Sequence, residues 1–384
     1  MTIAVEPMKI EGTVAPGFER VREAFVSNFT RDDAYQELGA SLAVYRGERC
    51  VVDLWGGHAQ RDRKHRWQRD TLINVYSATK GIAAIALAML VDEGKLDYAV
   101  PVTRYWPEYG AAGKSSTTVA QLLSHQAGLT GFIEPTVIDD LYDWPKITAR
   151  LARQASLLPP GSAASYHAMT WGFLAGELFR RAAGESIGTF LRKRVGAPLH
   201  ADVFIGLPDS LESRVATLYG PRQPPDLAAL TQPPQALAAM INPQLDPEVP
   251  NQRAWRAAEI PAANGQASAQ GLARIYAAIA NGGELEGARL LSRAAITRML
   301  ARQTGKTDLL IGATDNWGMG ISHNALGMLG PDPTTFGHTG WGGSFGAANL
   351  EANVAIGYVC NQMGAQLVGD PRATALCDVI FASL

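Results

Sequence analysis

The segment Ser77–Asp92, SATKGIAAIALAMLVD, most narrows the folds open to this chain. Ile82, Ile85, Ala86, Met89 and Leu90 recur at helical spacing, and Ala83, Leu87 and Val91 fill the other side. A helix apolar on most sides is stable only when other elements cover it, so the segment predicts a buried helix that ends near Gly94. Into its first turn the sequence places a lysine, Lys80, three residues after Ser77.

Material to cover such a helix lies at both ends of the chain. Ser41–Tyr45 and Cys50–Trp55 are β-rich runs joined by Arg46-Gly47-Glu48-Arg49, a hairpin signal, and a second hairpin is expected around Glu351-Ala352-Asn353. Between them the pattern is helical. Thr118 and Gln121 have capping-box spacing at the start of a helix expected to close near Gly128. Trp171, Leu174, Ala175 and Leu178 mark another that ends near Gly184, a third begins near residue 268, and DPRATALCDVIFASL closes the chain as a helix. The fold class is α/β in the broad sense (α+β), one antiparallel sheet built from the two chain ends and interrupted by a helical insertion. The expected units are residues 1–70 with 268–384 and a mainly helical 71–267, with the active site where the two layers meet. The Pro-, Ala- and Gln-rich stretch 220–262 reads as a pocket wall or a long connection.

Charge and composition exclude several classes of partner. A formal net charge of -2 over 384 residues offers no basic field for nucleic acid or an anionic membrane surface. No segment is long and apolar enough to span a bilayer. Cys50, Cys360 and Cys377 are widely separated and lack paired Cys/His spacing, so neither a disulfide framework nor a metal site is expected. TGKTD at 304–308 lacks the upstream glycine of a phosphate loop, and no cofactor is expected. The start of the chain, MTIAVEPMKIEGTVAPGF, has no basic stretch followed by an apolar run, so a cytoplasmic location is expected. A small uncharged molecule is the expected partner.

Three stretches could carry chemistry. Residues three apart share a helix face, so Ser77 and Lys80 can approach each other. An enclosed lysine loses solvation of its charged form and becomes a base for a serine hydroxyl, while the helix N-terminus offers N–H groups to an oxyanion. The competing reading is an N-cap serine and a solvated charge. None of the other seven lysines has a serine three residues before it. Tyr166, in SYHAM at a loop-to-helix junction, is either a proton relay or a packed aromatic. GHTGWGGS at 337–344 is either a ligand-facing strand flanked by glycines or a Gly-rich turn, with His338 and Thr339 pointing in alternate directions.

Taken in this order, Ser77-Ala78-Thr79-Lys80, Tyr166-His167-Ala168 and His338-Thr339-Gly340 resemble the signature of the serine β-lactamase and penicillin-binding superfamily. The match is nearest to the class C β-lactamase branch and its esterase relatives, the family VIII carboxylesterases. DEGKLDYAVPVTRYWPEY, QLLSHQAGL and GESIGTFLRKRVGAPL add to it, and the resemblance runs from about residue 18 to the end. It implies a β-lactamase-like fold and a serine hydrolase that forms an acyl-enzyme on Ser77. Lys80 would accept the Ser77 proton, and Tyr166 would assist and later activate water. The oxyanion would rest on the N–H groups of Ser77 and Trp341, with His338, Thr339 and Gly340 along the substrate.

Two departures point to the substrate. Ala168 stands where class C β-lactamases carry an asparagine that helps hold the β-lactam amide, and His338 stands where they carry lysine. Losing a permanent cation weakens capture of a carboxylate, so a neutral carboxylic ester is the expected substrate. The alternatives are a β-lactamase or D-alanyl-D-alanine peptidase, an acyltransferase, and a non-enzymatic binding or scaffold member of the family.

Two G-x-S-x-G stretches imitate the nucleophile elbow of another hydrolase fold. Ser186, within 184–188, reads instead as a helix N-cap, and Ser344, within 342–346, is followed by strand-like sequence instead of a helix. His125 reads as a residue that satisfies carbonyls at a helix C-terminus.

Overall fold

Alternation of side chains and two tight turns build one seven-stranded antiparallel sheet. Its strands are β1 (Ile10–Val14), β2 (Gly39–Arg46), β3 (Arg49–Gly57), β4 (Ser322–His323), β5 (Phe336–Thr339), β6 (Phe345–Asn349) and β7 (Val354–Cys360), in the order β1-β3-β2-β7-β6-β5-β4. The computed structural model describes residues 9–223, 237, 241–314 and 316–384, so part of the 220–262 stretch and of the N-terminal segment lies outside the described residues. Both expected hairpins form, with Gly47 at φ 61° and Asn353 at φ 48° in their turns. Pairing of β7 with β2, from Val354↔Arg46 to Cys360↔Ala40, joins the two ends of the chain at the centre of the sheet.

The principal helices are α1 (Glu19–Thr30), α2 (Ala78–Asp92), α3 (Val119–Leu123), α4 (Thr170–Ala183), α5 (Ala269–Ala280) and α6 (Pro371–Phe381). Successive side chains of a strand face opposite sides. Ile356 and Tyr358 of β7 accordingly join Phe25 of α1 and Leu376 of α6 in one core. Ala355 and Val359 face the other side, into a larger core with α2, α4 and α5. As the pattern predicts, every residue of α2 from Ala78 to Val91 is buried.

The Thr118–Gln121 capping box forms with both of its bonds, at 3.1 and 3.0 Å. The helix it starts does not run on toward Gly128. It stops at Leu123, where the Ser124 hydroxyl donates to the Ala120 carbonyl at 2.7 Å and His125 turns to φ 62°. A three-stranded sheet of Ile73–Asn74, Gln266–Ala267 and Val203–Phe204 carries the chain into Ser77. Among the described residues no helix is long and apolar enough to cross a membrane.

Candidate active site

Ser77 occupies the N-cap position of α2 but does not cap it: its backbone is helical (φ -66°, ψ -12°) and its hydroxyl makes no capping bond. The Oγ atom lies 3.2 Å from Lys80 Nζ. Tyr76, just before it, holds a left-handed φ of 42°, a conformation that costs a bulky residue about 1–3 kcal/mol. Surrounding contacts hold it there. The Tyr76 hydroxyl donates to the Pro247 carbonyl at 2.7 Å, and its ring lies 5.2 Å from that of Trp341.

Lys80 is fully buried, and its amine donates to the carbonyls of Ala168 at 2.8 Å and Ala262 at 2.9 Å. Among the described residues no carboxylate pairs with it, and burial holds its pKa well below the usual lysine range. A neutral amine has two N–H donors and one lone pair. The two carbonyls take the donors, which leaves the lone pair for the Ser77 hydroxyl.

Tyr166 sits with its ring centroid 4.8 Å from Lys80 Nζ, with the Ser77 side chain near enough to its phenol to influence its titration. Burial raises the phenol's pKa, and the neighbouring Ser77 hydroxyl offsets this only in part, so the resting group is neutral. His167 anchors the loop. Its Nε2 accepts from the Leu129 N–H at 3.0 Å and its Nδ1 lies 2.6 Å from the Ser165 carbonyl. Ala168 supplies the carbonyl to Lys80 noted above, a contribution independent of its side chain.

His125 is structural, but not in the way its position suggested. Its Nδ1 accepts the His167 N–H at 3.0 Å, and its ring packs against Trp317 at 4.2 Å and Tyr166 at 4.9 Å instead of satisfying helix carbonyls.

His338 on β5 is buried, with Nδ1 2.8 Å from the Thr339 carbonyl and no partner for Nε2 among the described residues. Burial and the nearby Lys80 push its pKa down to about 3, so the ring is neutral. Gly340 allows the end of β5 to reach the nucleophile segment, since a Cβ there would stand 2.1 Å from the Val75 carbonyl oxygen. The chain then turns through Gly342 and Gly343 at φ 97° and 117°. Among the described residues the backbone N–H groups of Ser77 and Trp341 donate to no protein acceptor.

The remaining serine candidates fall outside this constellation. Ser186 caps the short helix Ile187–Leu191 through the Thr189 N–H and donates to Glu259 at 2.6 Å. Ser344 accepts from the Cys360 N–H, and strand β6 follows it. Three participants were not foreseen: the Ala262 carbonyl, Asp308 and Trp317. Asp308 accepts from the Tyr166 N–H across 142 positions of sequence, and Trp317 stacks on Tyr166 at 5.5 Å with rings 3° from parallel. No local spacing marks either one.

The profile of the Beta-lactamase family matches residues 24–377. The chain is 36% identical over 371 residues to the esterase/beta-lactamase LipL of Mycobacterium tuberculosis, covering 94% of this chain and 85% of that protein. A solved family VIII carboxylesterase superposes with a TM-score of 0.91 at 43% identity, covering 98% of this chain and 100% of the other. A penicillin-binding protein homolog from Caulobacter crescentus gives 0.91 at 42% identity with the same coverage. Matched over nearly its whole length in both sequence and fold, the chain belongs to the Beta-lactamase family.

Proposed function

We propose that this protein is a cytoplasmic serine hydrolase that cleaves small, neutral carboxylic esters through an acyl-enzyme on Ser77. The observation that carries this reading is the Lys80 amine, buried and bonded to two carbonyls, with Ser77 Oγ at 3.2 Å in its remaining direction. Ser77 attacks the ester carbonyl as its proton passes to Lys80. The oxyanion rests on the N–H groups of Ser77 and Trp341. Tyr166 gives its phenol proton to the departing alcohol and is replenished from Lys80. In deacylation Tyr166 takes a proton from water and hands its own to the amine, and as the second tetrahedral adduct collapses to release the acid, Lys80 returns that proton to the departing Ser77 oxygen.

The relatives support an ester as the substrate: one is a family VIII carboxylesterase and another an esterase/beta-lactamase. A neutral His338 supports it further, because an uncharged ring gives a substrate carboxylate no ion pair. The test is intact-protein mass spectrometry after mixing with p-nitrophenyl butyrate and, separately, a cephalosporin, for the natural protein and Ser77→Ala. A transient acyl adduct from the ester, absent in the variant, is expected. A long-lived adduct from the cephalosporin alone would move the protein to penicillin-binding chemistry, and full esterase activity in folded Ser77→Ala would overturn the nucleophile.

A further inference from the structure

We propose that Asp308, acting through Trp317 and the Tyr166 backbone, is the positioning residue that sets the Tyr166 phenol against Ser77 and Lys80; the inference rests on the relay role given to Tyr166 above. Asp308 is 1% exposed, and among the described residues no basic side chain pairs with it. Among the described residues its carboxylate is held by N–H donors alone. Oδ1 accepts from Tyr166 at 3.2 Å, Leu310 at 2.8 Å and Ile311 at 3.1 Å, and Oδ2 accepts from the Trp317 indole at 2.8 Å. Burying a carboxylate is costly, and this one is tolerated because both oxygens are satisfied.

The arrangement requires an acceptor on each side of the carboxyl group. An asparagine could serve the three backbone donors with its carbonyl, but its NH2 would then face the Trp317 N–H, donor against donor. With aspartate in place, Trp317 is fixed parallel to Tyr166, and His125 closes the cage 4.9 Å from the tyrosine ring. A second strap, the Leu309 N–H to the Ala164 carbonyl at 2.9 Å, ties the two loops together. Trp317 and His125 thus bracket the Tyr166 ring, whose centroid lies 4.8 Å from Lys80 Nζ. Burial is the main cause that raises the phenol's pKa, and the same carboxylate adds to it, so both favour a protonated Tyr166 for its first transfer.

The experiment compares the natural protein with Asp308→Asn, Trp317→Phe and the double variant, reading kcat and KM for p-nitrophenyl butyrate across pH, thermal midpoints, and labelling of Ser77 by a fluorophosphonate. Asp308→Asn should lower kcat about 10- to 100-fold with KM little changed, the scale of a misplaced relay. The alkaline limb of its kcat profile should move to lower pH. Trp317→Phe should lower kcat by less, and adding it to Asp308→Asn should recover part of the loss, because the donor clash disappears while an aromatic ring remains. Natural kcat and an unmoved alkaline limb in folded Asp308→Asn would overturn the proposal. So would a natural kcat in Trp317→Phe, a test that stands even if Asp308→Asn fails to fold. Absence of fluorophosphonate labelling in the natural protein would instead overturn the serine hydrolase reading, which separates the two failures.

Discussion

Lys80 Nζ faces Ser77 Oγ at 3.2 Å, one helical turn along α2. The carbonyls of Ala168 and Ala262 fix the amine's other two directions, so the lone pair is aimed before any substrate arrives. An arginine at this position would carry a permanent charge and offer no lone pair. Lys80→Arg should therefore reduce kcat by about 10²–10⁴-fold, the usual range for loss of a general base. Steady-state kinetics and a burst assay check this, with acylation expected to be the slowed step.

The depressed pKa of Lys80 gives two pH effects. With Lys80 as the base proposed above, activity would need the neutral amine, so kcat/KM should fall as pH drops through the folded-state pKa of Lys80. In the unfolded chain the amine stays protonated up to a pH of about 10.4. Between the two values the unfolded state binds more protons, and stability rises with pH across that window. Urea unfolding at several alkaline pH values should show this slope in the natural protein and a smaller one in Lys80→Met.

Two buried histidines reinforce the trend on the acid side. Burial pushes His167 down to about 4, and burial with Lys80 nearby pushes His338 down to about 3, against an ordinary value near 6.5. Below 6.5 the unfolded chain takes up protons that the folded chain refuses, so stability is lost as pH falls toward those values. Each such proton is worth about 1.4 kcal/mol per pH unit. The urea midpoint should drop between pH 7 and pH 5, and His338→Gln should flatten that dependence. An equal drop in the variant would show that His338 is already exposed or paired.

The parts of this fold legible in the sequence are those whose cause is local. The turn residues Arg46-Gly47-Glu48-Arg49 between two β-rich runs announce β2 and β3, and the all-round apolar pattern of α2 announces its burial before any partner is known. Ser77, Lys80, Tyr166 and His338 stand out as candidates because side-chain chemistry and order mark them. Backbone acceptors carry no such mark: nothing about Ala262 as a residue type says that its carbonyl will hold a lysine. Asp308 and Trp317 stayed hidden because their meaning depends on a contact with Tyr166 that only the fold creates. The early end of α3 has a similar origin, since His125 leaves the helix to meet His167 and Trp317.

Gly340 tests the oxyanion site. Its missing side chain lets β5 abut the Val75 carbonyl, a backbone atom that cannot swing aside. Gly340→Ala must push the end of the strand outward and carry the Trp341 N–H with it. The variant should fold, yet lose about 10²–10³-fold in kcat, the scale of removing one oxyanion donor. Circular dichroism with kinetics on p-nitrophenyl butyrate decides it, and a variant that is folded and fully active would remove Trp341 from the mechanism.

Arg372, at the start of α6, tests how the glycine turn behind that donor is held. It is fully buried, pairs with Asp370 at 2.7 Å and Glu37 at 3.0 Å, and donates to the carbonyls of Gly342 and Gln362, each at 2.9 Å. Arg372→Met would strand two buried carboxyl groups without their cation. Removing one partner of a buried ion pair typically costs about 3–5 kcal/mol. Burial already raises Glu37 to about 7 against the pull of Arg372, so without the arginine its carboxyl should rise further and bind a proton more readily. The loss should thus be larger at pH 8, where neutralising Glu37 costs more, than at pH 6. Urea unfolding of both proteins at the two pH values measures it. A pH-independent loss would mean that the arginine acts mainly through the Gly342 and Gln362 carbonyls, and not through its charge.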